Sequence, residues 1–230
     1  MKIKADLHVH SNYSKDSMIP PKDLVFYAKK RGLNAVAVTD HNQIDGSVKI
    51  AKESDFLVIP GMEVSSADGH IVALNVKELI PRGLSAKQTV DKIHKAGGIA
   101  VAVHPYAWFK GSLASHVKDA KFDAVETLNA SAFPFNRCKR KAEAIAQELN
   151  LPRVGGTDAH YGPTIGFGCT AIDSEPAVDA IIRAIMEGRC EPFGQAVPLT
   201  LTLQRQYELI KRRILSSSAV GETSRSDRRR

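Results

Sequence analysis

Apolar positions fall into short runs separated by amphipathic segments, from residue 3 to about residue 196. The runs at 3–7, 35–39, 56–59, 70–76, 99–103, 124–128, 153–156 and 169–172 predict strands, several of them β-branched and apolar throughout. Strands buried on both faces have that composition. The intervening segments predict helices with readable ends. Ser85 and Gln88 form a capping box, and Gly97 stands where that helix should stop. Ala142, Ile145, Ala146 and Leu149 mark the apolar face of a second helix. Val178, Ile181, Ile182 and Ile185 mark a third, entered through Ser174 and Pro176. Alternation of this kind predicts an α/β fold, a parallel sheet with helices outside it, and the number of units favours a closed barrel over an open sheet. Beyond Val197 the pattern changes to one polar helix, over 203–215, and then a stretch too poor in large apolar residues to offset its ordering. The expected organisation is a barrel over 1–196 and a C-terminal helix with a basic, disordered tail over 197–230.

Composition adds little to this picture. The chain has 230 residues, 43% hydrophobic and 25% charged, which is ordinary for a globular protein with a full core. No run approaches the roughly 20 apolar residues of a membrane span, and MKIKADLHVH lacks the apolar stretch of a signal peptide. A soluble, cytoplasmic protein with no membrane partner is therefore expected. Cys138, Cys169 and Cys190 are odd in number and far apart, which argues against a disulfide framework or a thiolate zinc site. The net charge of +7 is concentrated in the tail: from Gln204 onward eight Arg or Lys stand against three Asp or Glu.

Histidine changes the picture. Six of the eight, His8, His10, His41, His70, His104 and His160, fall at predicted strand ends or starts, beside Asp6, Asp16, Asp40, Glu63 and Asp158. In a parallel barrel, residues just beyond the strand C-termini converge on one face. Any one of these motifs alone is more often surface, core or cap than ligand. Six histidines on one rim are different, because burying them without a metal would leave many ring nitrogens unsatisfied. Mixed imidazole and carboxylate donors suit zinc, manganese or iron. Glu126 and Asn129 end a strand and are weaker candidates for substrate or outer-layer contacts. Arg137, Lys139, Arg140 and Lys141 open a helix, where a solvated face is the default, and neither His94 nor His116 is given a role.

The series DLHVHS, TDH, PGMEVSS, GH, HP and GTDAH resembles the PHP family, named from polymerases and histidinol phosphatases, in the family's order and over residues 1 to about 195. That resemblance implies a distorted TIM-like barrel of seven βα units holding two or three divalent ions. Carried over by position, His8, His10, Glu63 and Asp158 would surround one ion. Glu63 would bridge to a second held by His70 and His104, and Asp16, His41 and His160 would hold a third. Catalytic roles would fall to Glu63, Asp158 and His160, with Asp40 orienting His41. The loop after His10 departs from the common HS-x-x-SDG by carrying its acid one place later, at Asp16.

The function expected from these residues is metal-dependent hydrolysis of a phosphoester by a metal-bridged hydroxide, on a small phosphorylated metabolite or nucleotide. The alternative is a nucleic-acid-associated barrel subunit, or a nuclease or 3′-phosphatase acting on nucleic-acid ends.

Overall fold

The computed structural model describes the backbone of residues 1–226 and side chains through Arg212. The chain divides into two compact units, 1–196 and 197–230. The first begins with β1 (Lys2–Val9), α1 (Pro21–Lys30), β2 (Ala35–Val38), α2 (Asp45–Glu53), β3 (Leu57–Ser65), β4 (His70–Leu74), α3 (Ala86–Lys95) and β5 (Ile99–Ala102). It continues with β6 (Ala124–Asn129), α4 (Phe135–Glu148), β7 (Arg153–Gly156), β8 (Gly168–Asp173), α5 (Val178–Met186) and β9 (Cys190–Gly194). Short 3-10 turns at Ala114–Asp119 and Gly162–Thr164 take the place of two further crossover helices.

The strands lie in the order β7-β6-β5-β4-β3-β2-β1-β8-β9. This sheet curls into a nearly closed barrel, the α/β barrel that the alternation predicts. β7 meets the far side through Asp158 N donating to His8 O (2.7 Å) and Gly155 N to Thr170 Oγ1 (2.8 Å). It is not wholly parallel: β4 runs antiparallel to β3 and β5, and β8 to β1 and β9. For β4 the cause is connection length. β3 extends to Ser65, leaving only residues 66–69 before β4, and a parallel crossover needs about a dozen or more.

Two faces of the barrel wall carry separate cores. Ile3, Ala5, Leu7, Ile59, Val72, Leu74, Val101, Ala124 and Val154 fill the interior, together with Ile181, Ile182 and Ile185 of α5. The outer face packs on helices: Val36, Val38 and Val58 with Leu24 and Ala28 of α1 and Ile50 of α2. Further round, Met62, Val64, Ala100 and Val125 pack with Val90 and Ile93 of α3 and Ala142, Ile145 and Ala146 of α4. Ser85 caps α3 in the capping box anticipated from the sequence.

Two bulges decide which side chains turn towards the barrel mouth. In β1, Asp6 and Val9 pair with Val36 and Val38, so three steps of β1 oppose two of β2. Strict alternation would put Val9 on the inner face with Ile3, Ala5 and Leu7, and His8 outside. The extra residue reverses the phase: Val9 packs outward among the α1 side chains, and His8 and His10 turn inward. In β6 the register shifts between Glu126 and Leu128, so Glu126 and Asn129, three residues apart, share one side and bond each other (2.9 Å).

Among its described residues, the second unit holds a single helix, α6 (Leu199–Ser226). It starts earlier than the predicted 203–215 helix and continues to Ser226, through most of the stretch expected to be disordered. Composition bears on how much surface a segment can bury, whereas helical backbone bonds are local and need no burial. Asp227–Arg230 lie outside the described residues. No described helix is long and apolar enough to cross a membrane.

Candidate metal centre

Glu63 sits at the middle of the barrel mouth, fully buried near the end of β3, with Ile59 and Gly61 below it on the same inner face. Five imidazoles surround its carboxylate and divide between its oxygens. Oε2 lies 3.1 Å from His8 Nε2, 3.1 Å from His10 Nε2 and 3.3 Å from His41 Nδ1. Oε1 lies 2.8 Å from His70 Nδ1 and 3.0 Å from His104 Nε2. Asp158, just beyond β7 with φ at 57°, brings Oδ1 to 3.3 Å from His10 Nε2 and 3.4 Å from His160 Nδ1. Asp16 folds back from the loop after β1 to place Oδ2 3.0 Å from His160 Nε2 and 3.5 Å from His41 Nε2. The one-place shift of this acid therefore does not remove it from the cluster. The nine residues that the family resemblance singles out, eight near strand ends and Asp16 from a loop, meet in one place.

Outer partners orient the inner ring. Glu126 Oε1 is 3.0 Å from His8 Nδ1, which leaves the Nε2 lone pair facing inward when Nδ1 carries the proton. The backbone carbonyl of Asp158 can only accept, so it fixes the proton of His160 on Nδ1 (3.1 Å) and frees Nε2. The other oxygen of Glu126 accepts from His104 N (2.9 Å) and from Asn129 Nδ2. Glu126 and Asn129 thus take the outer-layer place that their strand-end position left open. Asp40 does not orient His41. Its carboxylate accepts from Ser11 N and Ser11 Oγ, both at 2.7 Å, and so ties down the loop that carries Asp16. Successive residues on extended chain point to opposite sides, so the carboxylate faces away from its neighbour's ring.

Lys110 was not foreseen. It lies in the loop after β5, and its ammonium contacts the Asp158 carboxylate. A lysine in a long loop carries no positional signal in sequence; only the fold shows where its stem reaches. His94 and His116 are exposed and pair with Asp123 (2.8 Å) and Asp119 (2.7 Å), remote from the cluster.

Electrostatics follow from packing these charges without water. Burial opposes charge on His10, but the Asp158 and Glu63 carboxylates outweigh it and raise the ring to about 9. Burial likewise opposes charge on His8, which Asp158, Glu126 and Glu63 raise well above its usual value. Burial would raise Glu63, yet His8 and the ring N–H groups around it hold the carboxyl well below the ordinary range. Asp158 is held down in the same way, by Lys110 and His8. His160 goes the other way, lowered by burial and by the charge on His10.

The donor set fits a metal. Among the described residues, His10 Nε2 and His104 Nδ1 are buried with no hydrogen-bond partner. His10 Nε2 has two carboxylate oxygens within 3.3 Å and hydrogen-bonds neither, and an ion among them would satisfy all three atoms. His8, His10, Glu63 and Asp158 offer atoms within 4.8 Å of one another, as do His41, Glu63 and His70, and His10, His41 and His160.

Residues 6–158 match the PHP domain, and residues 136–190 match a second, PHP-associated family. The chain belongs to the PHP domain family. Its histidine and carboxylate clusters could hold metal ions. It is 40% identical over 141 residues to an uncharacterized protein of Methanocaldococcus jannaschii, an alignment covering 56% of this chain and 82% of that one. It is 36% identical over 113 residues to a 5′–3′ exoribonuclease of Haemophilus influenzae, covering 41% of each. A two-domain protein of Bacteroides vulgatus, containing a predicted PHP-like metal-dependent phosphoesterase, superposes with a TM-score of 0.69 at 19% identity. That match covers 85% of this chain and 65% of the other. The lesion-specific endonuclease of Pyrococcus furiosus gives 0.65 at 19% identity, covering 84% and 58%. At such identities the likeness is one of fold.

Proposed function

We propose that this PHP chain hydrolyses phosphoesters with two or three divalent ions at the mouth of the barrel. The observation that carries the reading is the division of five imidazoles between the two oxygens of Glu63, which suits a carboxylate shared by neighbouring ions. His8, His10, Glu63 and Asp158 would hold one ion, Glu63, His70 and His104 a second, and Asp16, His41 and His160 a third. Zinc, manganese and iron all match this donor set. Ions bound there would lower the pKa of water towards ~7 and neutralise phosphate oxygens.

The chain's own groups do the rest. Glu126 keeps the His8 proton on Nδ1, and the Asp158 carbonyl keeps that of His160 on Nδ1, so both Nε2 atoms stay available as donors. The interior below the site is apolar, which strengthens every charge interaction at the mouth. Lys110 Nζ, which contacts the Asp158 carboxylate, would donate to a phosphate oxygen once ions neutralise that carboxylate. The Haemophilus relative and the Pyrococcus structure are nucleases by name, which supports a phosphodiester in nucleic acid as one substrate class.

The test is elemental analysis paired with hydrolysis of bis(p-nitrophenyl) phosphate. Two or more transition-metal ions per chain are expected, with activity lost on chelation and restored by manganese or zinc. Full turnover with less than one ion per chain would end the proposal.

A further inference from the structure

Beside the metal centre the surface carries an aromatic cluster that packing does not explain. Trp108, Phe109 and Phe133 are 45%, 95% and 61% exposed. Large side chains of this kind bring most of the apolar area to a core, and a contiguous exposed group marks a binding surface. Phe109 is held outward with φ at 60°, a backbone region bulky residues avoid.

The rings are arranged around Trp108. Phe109 and Phe133 stand edge-on to the indole, with centroids 6.4 and 6.0 Å away and planes at 90° and 72°. In an edge-on pair the edge of one ring meets the face of the other, so the area left for a ligand is the exposed part of each ring, largest on Phe109 and Phe133. The Arg137 guanidinium lies 5.4 Å from the indole centroid. Trp108 N donates to Phe133 O (2.9 Å), locking the loop after β5 to the loop after β6.

Both loops also reach the metal cluster, and at the same residue. Lys110, two positions after Trp108, contacts the Asp158 carboxylate, and Ser131 Oγ, two before Phe133, donates to the Asp158 carbonyl (3.4 Å). Two residues span at most about 7 Å of chain, so the rings flank the mouth on which the donors converge. Next to Phe133, the start of α4 exposes Arg137, Arg140 and Lys141.

We propose that Trp108, Phe109 and Phe133 form a stacking platform for unpaired bases of single-stranded nucleic acid, with α4 cations following its backbone and a phosphate lying at the metal centre. The placement of the phosphate rests on the phosphoesterase reading of that centre. Exposed aromatic rings take any base, and the neighbouring cations match the flanking phosphates. An apolar protein partner would find its contact area edged by arginines and shared with a cluster of buried charge.

Trp108 is the only tryptophan in the chain, so indole fluorescence reports this platform alone. The experiment titrates the metal-loaded full chain with a phosphorothioate-linked oligothymidylate and with an abasic phosphorothioate chain of equal length. Thymine-dependent quenching is expected, with little from the abasic chain. Phe109→Ala and Phe133→Ala, at exposed positions, should each weaken thymidylate binding by about ten-fold and leave abasic binding unchanged. Equal quenching by both chains, or variants that bind thymidylate like the parent, would overturn the platform. Cleavage of unmodified oligothymidylate, followed in parallel, tests the phosphoesterase reading separately. Quenching without cleavage under any metal would support the platform and remove hydrolysis, whereas cleavage without base-dependent quenching would do the reverse.

Discussion

Replacing Glu63 by Gln keeps volume and shape while removing the one charge that five imidazoles share. In the chelated protein, Glu63 and Asp158 are the carboxylates that raise His10 to about 9. Without Glu63, protons on His8 and His10 lose a buried partner at 3.1 Å. Breaking a buried pair costs about 3–5 kcal/mol, a large part of a domain's stability, so the chelated variant should melt well below the parent. In the loaded protein the amide offers one oxygen where the carboxylate offered two. At least one ion per chain should be lost, and kcat/KM should fall by at least ~100-fold, equivalent to roughly 2.7 kcal/mol of transition-state stabilisation. The assay is metal content, turnover and thermal unfolding on one preparation, with His94→Ala and His116→Ala as controls. Both controls alter exposed pairs and should change turnover by less than about two-fold. A Glu63→Gln variant with the parent's metal content and turnover would refute the shared-carboxylate reasoning.

Three further perturbations probe the packing around the site and beyond it. A Cβ at Gly156 would lie 2.5 Å from His8 Cβ and 2.8 Å from Glu126 Oε1, so Gly156→Ala should cost about 1–3 kcal/mol and impair metal binding, checked by denaturant unfolding and metal titration. His10 is raised above its unfolded value, so its contribution to the chelated protein is complete below about 6.5 and is lost as pH rises through about 9. That amounts to on the order of 3 kcal/mol, while apparent metal affinity climbs over the same window; melting temperatures or calorimetric proton release independent of pH would contradict it. Burial raises the Cys190 thiol to about 11, so at pH 8 its alkylation should be on the order of a hundred-fold slower than in the urea-unfolded chain, and equal rates would count against the packing.

The site was legible in sequence because a barrel brings strand ends together whatever the distance along the chain. Glu63 and Asp158 need only end their strands to meet His8. Phase was not legible. By alternation Ile3, Ala5, Leu7 and Val9 share a face that excludes His8 and His10, and a one-residue bulge, invisible in composition, turns the histidines inward. Glu126 was visible as a strand-end acid, but its bond to a ring 118 residues away depends on a second bulge. The reversal of β4 follows from how far β3 extends, and strand ends are the part of an element that hydrophobic pattern defines least well. β9 escaped notice because Cys190–Gly194 is short, mostly exposed and interrupted by Pro192, as an edge strand tolerates.

The near-closure of the barrel gives the metal donors a mechanical meaning. β7 ends the strand order on one side and β1 stands third from the other, inside β8 and β9, yet the two meet by a few bonds, among them Asp158 N to His8 O and an isolated bridge from Val9 to Ala159. His8 and His10 stand on one side of that seam and Asp158 on the other. An ion held by all three would be a rivet through the seam, joining the first strand to the last parallel one. Its binding energy would then also be energy of closure, and chelation should loosen the molecule first along this line, far from the helices that cover its outer wall.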